Sequence, residues 1–246
     1  MITVVIVSFH SQHLIFDRIR EIGTEAPVII VENSKDLKLK KDLESKYSNV
    51  RVLIPAENLG WGRAVNLALE KSNTDFIYLI QPDVILLDGC VKKLIDCVSG
   101  FKDFAILSPN NINHKDHKNY QIYIKKNQNI IDNKYGLEEV DHVDISWLMN
   151  KKELKDVGNW DENIFLYYET FDLCRRLRKK KKKIFISKNI TTSHLGSKSH
   201  APQFEFQSLL NRNWHYNWSK FYYFQKHHGY FFGLRKTLPN LFQAII

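Results

Sequence analysis

Short apolar runs alternate with polar, helix-spaced stretches through the first hundred residues. Residues 2–7 form an unbroken run of β-branched side chains, and further largely apolar runs follow at residues 28–31, 50–54, 75–80 and 104–107. Stretches with helical spacing lie between them, at residues 11–22, 35–47, 60–71 and 88–98. Unbroken apolar strands separated by helices predict a parallel sheet with helices on both faces. We therefore expect an α/β domain.

Polar side chains follow the predicted strands at the points where these strands end. Ser8 follows the first strand, Glu32 the second, Asn58 the third and Asp83 the fourth. The carboxyl ends of parallel strands lie at one edge of a sheet, and ligands of such sheets bind there. We therefore expect these four side chains to share one crevice.

The pattern changes after residue 109. Residues 110–139 are rich in Asn, Lys and His, which predicts an exposed hairpin or loop insertion. From residue 140 the core pattern returns, with strands predicted at residues 143–148 and 183–187 and helices at residues 151–157 and 170–180. Residues 201–246 form an aromatic, basic tail in which large apolar residues recur every fourth position, as in an amphipathic helix. These residues are Phe206, Leu210, Trp214, Trp218 and Tyr222.

The net charge of +9 on the 246-residue chain is unevenly distributed. Every residue from Arg175 to Lys183 except Leu177 is Lys or Arg, and no acidic residue follows Glu205. The simpler interpretation of the basic run is the solvated end of a helix, where cations suit the helix dipole. The alternative is contact with an anionic membrane surface, to which the tail helix would contribute. No nucleic-acid-binding motif is recognisable, so nucleic acid is not expected as a partner.

The cysteines and the N-terminus bear on the compartment. Cys90, Cys97 and Cys174 lack metal-ligand spacing and cannot all form disulfides, which favours a reducing environment. The first residues resemble a buried strand rather than a signal peptide, and no run reaches the roughly 20 apolar residues that cross a bilayer. We expect a cytoplasmic protein, with peripheral contact at the inner face of the membrane as the further option.

Four segments in chain order carry candidate chemistry. The first runs from Glu57 through Asn58, Gly60, Trp61, Gly62 and Arg63 to Asn66, where glycines at a helix start let the backbone approach phosphate. The second is Gln81-Pro82-Asp83 at a strand end. The third covers residues 159–178 and includes the stretch Tyr167-Tyr168-Glu169-Thr170-Phe171-Asp172. The fourth is His194-Leu195-Gly196-Ser197-Lys198-Ser199.

Together these segments resemble glycosyltransferase family 2, and in particular its rhamnosyltransferase-like members. The resemblance covers about residues 1–110 and 140–200. It implies a GT-A fold at residues 1–200, with a nucleotide-binding half at 1–109, an insertion at 110–139 and an acceptor and catalytic half at 140–200. It also implies inverting transfer of a sugar from a nucleoside diphosphate.

The resemblance further implies a ligand set. Asp83 and His194 would bind Mg²⁺ or Mn²⁺, and a carboxylate with an imidazole is chemically suited to either ion. Gln81 replaces the first acidic residue of the family motif, so one carboxylate remains there. The residues expected to contact the donor are Ser8, Glu32, Asn58, Gly60, Arg63, Gln81 and Asp83.

The catalytic base is the point of departure from the family. The position of the usual aspartate holds Thr170, whose neutral hydroxyl cannot act as a base. Glu169 and Asp172 remain as carboxylates three residues apart on one helical face. We favour Glu169 as the base and expect Asp172 to make a structural or helix-start contact. A catalytically weakened relative that binds nucleotide or glycan is the alternative.

The sequence therefore predicts a glycosyltransferase that uses a UDP- or TDP-sugar. The expected acceptor is a hydroxyl of a glycan or lipid-linked glycan in surface polysaccharide synthesis. A basic nucleic-acid-binding protein is the less favoured alternative, because it leaves the polar strand ends unexplained.

Overall fold

The computed structural model of the protein describes residues 1–113, 118–123, 130–131, 134–196 and 205–243. The strands in these residues are β1 (Ile2–Ser8), β2 (Val28–Glu32), β3 (Val50–Leu53), β4 (Phe76–Ile80), β5 (Val84–Leu86), β6 (Ile106–Asn111), β7 (Tyr120–Gln121), β8 (Ile130–Ile131), β9 (Leu137–Glu139), β10 (His142–Val143), β11 (Ser146–Asn150) and β12 (Ile184–His194). The helices are α1 (Gln12–Ile22), α2 (Leu37–Lys46), α3 (Gly62–Lys71), α4 (Cys90–Gly100), α5 (Lys151–Lys155), α6 (Glu169–Lys179), α7 (Glu205–His228) and α8 (Tyr230–Gln243).

One large sheet organises the fold. Its strand order is β3-β2-β1-β4-β11-β6-β12-β9-β8, and β5 pairs with β12 beside this path. Strands β1 to β4 are mutually parallel, and β6 and β12 run in the same direction because β11 pairs antiparallel with both β4 and β6. Six strands therefore end at the same edge of the sheet. The expected α/β fold with a mostly parallel sheet is confirmed.

Helices cover both faces of this sheet. Side chains of one strand alternate between the faces, so that Val4 and Ile6 of β1 join one core and Val5 and Val7 the other. The first core includes apolar residues of α1, α2 and α4, and the second includes those of α3, α5 and α6. A strand buried on both faces must be apolar at every position, which explains the unbroken runs in the sequence.

The predicted insertion at residues 110–139 is partly integrated into the sheets. β9 extends the large sheet by pairing with β12, and Leu137 is fully buried. β7 forms a small separate sheet with β10. The three-residue strand β5, which was not predicted, is too short to give a periodic signal.

The tail is a helical hairpin that packs on the domain. α7 and α8 contact each other closely and meet at Gly229. Ser219 of α7 is buried and donates a hydrogen bond to the carbonyl oxygen of Leu166 (2.7 Å). None of the helices within the described residues has the length and apolar character to cross a lipid bilayer.

Gly60 joins the two halves of the domain. Its φ is +70°, and a Cβ placed there would lie 2.5 Å from the carbonyl oxygen of Phe165. The next residue, Trp61, donates its N–H to that same oxygen (2.8 Å). The glycine therefore permits a close backbone contact between the loop before α3 and the segment before α6.

Gly60→Ala should lower the free energy of unfolding by about 3 kcal/mol, because it combines a left-handed backbone with a backbone clash. Gly100→Ala is the matched control, since Gly100 ends α4 with no atom near its would-be Cβ. The control should be neutral or stabilising by less than about 1 kcal/mol. Urea denaturation of both variants measures the difference. Wild-type stability of Gly60→Ala would show that the contact with Phe165 is not tight in solution.

Candidate active site

A cleft of about 610 Å³ opens at the edge where the six codirectional strands end. Six of the ten predicted site residues line it. They are Asn58, Gly60, Gln81, Asp83, Glu169 and His194. The prediction that strand-end residues share one crevice therefore holds for Asn58 and Asp83. Ser8 and Glu32 lie beside the cleft rather than in its wall.

Asp83 and His194 are brought together by β5. This strand starts directly after Asp83 and pairs antiparallel with β12, which places Val84 opposite His194. The Asp83 Oδ2 and His194 Nε2 atoms are 3.3 Å apart, and the Asp83 side chain is 1% exposed. Arg18 of α1 supports this strand by donating to the carbonyl oxygen of Val84 (2.7 Å). The pair therefore has a rigid support on two sides.

The pair fits two ligands of one divalent cation. Neighbouring ligands of an octahedral Mg²⁺ ion at about 2.1 Å are roughly 3 Å apart, which is close to the observed separation. Within the described part of the chain, no group of three or more His, Cys, Asp and Glu side chains is arranged to hold a metal. The protein therefore offers two ligands, and an ion held there requires oxygens from a bound diphosphate or from water.

Glu32 and Ser8 are neighbours on adjacent strands. They lie in register between β1 and β2, and both side chains are buried. One carboxylate oxygen of Glu32 accepts from the N–H of Ser34 (2.8 Å). The other carboxylate oxygen and the Ser8 hydroxyl have no hydrogen-bond partner among the described residues. Val7, Phe9 and Asn33, which flank these residues in the chain, line the cleft.

Asn58 and Arg63 shape the loop before α3 in different ways. The Asn58 side chain accepts from the N–H of Gly60 (2.9 Å) and so stabilises the turn. Arg63 is half-exposed, pairs with Glu57 (3.1 Å) and is not a lining residue of the cleft. The structure therefore gives no support to Arg63 as a donor-binding residue. The close approach of Gly60 to Phe165 explains why this position holds a glycine, and Gly60 also lines the cleft.

Glu169 stands at the first position of α6 and faces the cleft. Its side chain is buried, and one oxygen accepts from the N–H of Tyr167 (2.7 Å). Burial raises the pKa of Glu169 to about 7, the Tyr167 N–H opposes this shift, and the Asp144 carboxylate adds to it. A carboxyl group with a pKa near 7 is suited to take up a proton at neutral pH. Thr170 follows it in the wall of the cleft.

Asp144 is a cleft residue that the sequence analysis missed. Its carboxylate interacts electrostatically with both Glu169 and His194. The enclosing walls raise its pKa, while its side chain stays open to solvent through the cleft mouth. One signal in the sequence could have identified it. Asp144 is a charged residue between the apolar residues Val143 and Ile145, in a predicted strand whose side chains are expected to be buried. Ile145 has a φ of +77°, which is unusual for a β-branched residue.

The tail helix supplies one wall of the cleft, which was also missed. The lining residues of α7 are Asn211, Arg212, His215 and Tyr216. Arg212 donates from Nε to the Tyr167 hydroxyl (2.6 Å), and His215 stacks on Phe165 with ring centroids 4.4 Å apart. The fourfold spacing of the apolar residues places Arg212 and His215 off the apolar face of the predicted helix, so the pattern gives no sign that they contact the domain. Residues 197–199, which end the fourth candidate segment of the sequence, lie outside the described residues.

Asp172 does not belong to the cleft. It is fully buried and bound by three basic side chains. The atoms at 2.7 Å from its carboxylate are Arg176 Nε, Lys226 Nζ and His227 Nε2. Its three partners occupy the carboxylate, and it is not a lining residue. The geometry therefore gives no support to Asp172 as a catalytic carboxylate, and it fits the structural contact expected from the sequence.

The fold is that of GT-A-type glycosyltransferases. The chain superposes on "GalNAc-T7 with UDP, GalNAc and Mn²⁺" with a TM-score of 0.64 at 11% identity, covering 92% of this chain and 51% of that one. It superposes on the "mannosyltransferase PcManGT from Pyrobaculum calidifontis in complex with GDP-Man and Mn²⁺" with a TM-score of 0.61 at 10% identity, covering 99% and 74%. These likenesses concern the fold.

Sequence comparison gives the family. A model described as "Glycosyl transferase family 2" matches residues 4–158, and the chain belongs to this family. The match ends before Glu169 and His194. A relative is the "low-salt glycan biosynthesis hexosyltransferase Agl10" of Haloferax volcanii, which is 19% identical over an alignment of 192 residues that covers 72% of this chain. The aligned region spans 62% of the length of that protein.

Asp172→Asn should lower the free energy of unfolding by about 3 kcal/mol, because it leaves three basic groups without their buried carboxylate. Asp156→Asn is the control, since that carboxylate pairs with Lys182 at the surface and is 52% exposed. The control should cost less than about 1 kcal/mol. Thermal and urea unfolding measure both. Loss of activity in Asp172→Asn at unchanged stability would contradict the structural role.

Proposed function

We propose that this protein is an inverting glycosyltransferase that moves a sugar from a nucleoside diphosphate to an acceptor hydroxyl. The observation that carries the proposal is the convergence of the Asp83–His194 pair and Glu169 in one cleft at the strand ends. A diphosphate-binding pair and a carboxyl base are what such a transfer requires. Membership of glycosyl transferase family 2 supports the same reaction class.

In this proposal Asp83 and His194 would hold Mg²⁺ or Mn²⁺ together with the donor diphosphate. A bound ion would supply positive charge that offsets the charge of the leaving diphosphate. Gln81 and Asn58 lie in the same cleft and are polar contacts for the donor. The buried Glu32 oxygen and Ser8 hydroxyl are polar groups that a nucleobase could contact. This contact requires Phe9 and Asn33, which flank them in the chain and line the cleft, to move aside. UDP and GDP-mannose in the structures of fold relatives support a nucleotide-sugar donor.

Glu169 is the base of the proposed reaction. The acceptor oxygen forms a bond to the anomeric carbon, and its proton passes to the Glu169 carboxylate. The bond between the anomeric carbon and the diphosphate oxygen breaks, and the nucleoside diphosphate leaves from the opposite face with inversion. Thr170 in the usual base position motivates the alternative of a weakened, ligand-binding relative, which the activity assays below distinguish.

The proposed donor is a UDP- or TDP-sugar. The proposed acceptor is a glycan or a lipid-linked glycan in surface polysaccharide synthesis. The relative's role in glycan biosynthesis, as its name gives it, supports this class of acceptor. The tail helix closes the acceptor side of the cleft with polar and aromatic side chains. Tyrosine and histidine rings of this kind suit the apolar faces and hydroxyls of a sugar.

Donor binding should depend on Asp83. UDP-, TDP- and GDP-sugars should be compared in a thermal-shift panel with and without Mn²⁺, and at least one should stabilise the protein only with the metal. Asp83→Asn should remove most of this metal-dependent shift, because it removes a charged ligand. Asp88→Asn, an exposed position outside the cleft, is the control. Stabilisation by no sugar nucleotide in the presence of metal would exclude the proposed function.

Glu169→Gln should lower the transfer rate at least about 100-fold and leave donor binding nearly intact, because general-base catalysis has this magnitude. In the wild type, kcat/KM should fall as the pH drops and the carboxylate takes up a proton. The midpoint should lie no higher than about pH 7, since a bound cation lowers the pKa further. Glu162→Gln, an exposed carboxylate before α6, is the control. Transfer that survives in Glu169→Gln would assign the base elsewhere.

A further inference from the structure

The outer face of the helical tail carries large apolar side chains in contact with solvent. On α7 these are Leu210, Trp214 and Trp218, which are four residues apart and 56%, 69% and 53% exposed. On α8, Tyr230 is 53% and Phe231 84% exposed. The inner face of α7 is used by the domain, so these residues occupy the side of the helix that faces away from it.

The aromatic residues form one continuous surface across both helices. Trp218 contacts Phe221 (ring centroids 6.2 Å apart), and Phe221 contacts Tyr230 (5.7 Å). Tyr230 in turn contacts Phe231 (5.8 Å). We name this surface, comprising Leu210, Trp214, Trp218, Phe221, Tyr230 and Phe231, the aromatic face. Exposed apolar residues that are contiguous indicate a contact surface, whereas single ones do not.

Basic side chains lie next to the aromatic face. Arg235 follows Phe231 by one helical turn, and both Arg235 and Lys236 are exposed. Their cationic groups lie 5.7 Å from the Phe232 ring centroid. Partial burial lowers the pKa of His228, and the nearby charges of Arg175, Lys179 and Lys236 lower it further. The cations of Arg175 and Lys179 on α6 therefore lie near the same histidine as the cation of Lys236 on α8.

The basic run Arg175–Lys183, which begins in α6 and continues past its end at Lys179, divides into two sets. Arg176, Arg178, Lys182 and Lys183 form ion pairs with carboxylates of the domain. Among the described residues, no carboxylate forms an ion pair with Arg175, Lys179, Lys180, Lys181, Arg235 or Lys236. The sequence after Glu205 contains no acidic residue that could neutralise this surface. The charges available to a partner are therefore positive.

We propose that the aromatic face and its flanking cations dock this protein on an anionic lipid bilayer. Aromatic side chains are favoured at the level of the lipid head groups, and each basic residue near an anionic surface adds about 1 kcal/mol. This combination matches a bilayer better than a second copy of the chain, whose tail would present the same positive charge. Because the inner face of α7 lines the cleft, docking brings the cleft to the lipid surface.

The test is sedimentation of the full chain with vesicles of phosphatidylcholine, with and without phosphatidylserine. Binding should require phosphatidylserine and should weaken at high salt. Arg235→Gln/Lys236→Gln should weaken binding about 30-fold, from the loss of two basic residues near the surface. Trp214→Ser/Trp218→Ser should weaken it more than about tenfold through lost apolar contact.

Matched controls come from α2, on the body of the domain. Lys38→Gln/Lys41→Gln removes two exposed cations, and Leu37→Ser removes a side chain that is 70% exposed. Both should bind vesicles like the wild type. Circular dichroism and unfolding midpoints establish that the tail variants remain folded.

Three results would overturn the proposal. The first is no binding to phosphatidylserine vesicles at low salt, and the second is equal binding by folded tail variants and wild type. The third is that another partner occupies the aromatic face and the protein does not bind vesicles. That partner would be a second copy of the chain, in a dimer that Trp214→Ser/Trp218→Ser dissociates, or an RNA that Arg235→Gln/Lys236→Gln releases. The vesicle assay contains neither donor nor acceptor, so its failure leaves the transfer reaction untouched.

Discussion

The buried carboxylate of Asp172 joins the tail to α6 of the domain. A carboxylate removed from water is tolerated only when basic groups surround it, and two of its three partners, Lys226 and His227, come from α7. Since Asp172 lies one turn after Glu169 on α6, this contact fixes the helix whose first residue faces the cleft. The tail is therefore part of the site, although it contributes no carboxyl group of its own.

Other contacts of α7 stabilise an unfavourable backbone at the start of α6. Tyr167 and Tyr168 have φ values of +67° and +66°, a conformation that costs free energy for residues other than glycine. Arg212 binds the Tyr167 hydroxyl, and Tyr216 and Tyr223 pack on the Tyr168 ring. α7 thus holds the turn that orients Glu169. On its other side, the segment before this turn is fixed by Gly60 and Trp61 through Phe165.

The sequence predicts the sheet well because burial on both faces requires unbroken apolar runs, which are visible without any partner. Convergence of strand ends predicts that Asp83 shares a crevice with the other strand-end residues, whereas His194 and Glu169 are assigned to the same site only by the resemblance to glycosyltransferase family 2. The α7 wall could not be predicted, because helical periodicity assigns Arg212 and His215 to water. Asp144 carries no motif, and its role depends on the register of β11 against β4. The mutual contact of Asp172 and Lys226 is equally invisible, because nothing local links residues 54 positions apart.

The two faces of α7 differ in composition and in what they contact. Its inner face must be polar and aromatic to contact Tyr167, Phe165 and Asp172, and this requirement explains why its polar positions are not all solvated. Its outer face has no such partner within the described chain, yet it carries tryptophan rather than lysine or glutamate. Exposed tryptophan reduces solubility unless another phase covers it. Any surface that covers Trp214 and Trp218 therefore lies about one helix diameter from the cleft, because the opposite face of α7 forms part of the cleft wall.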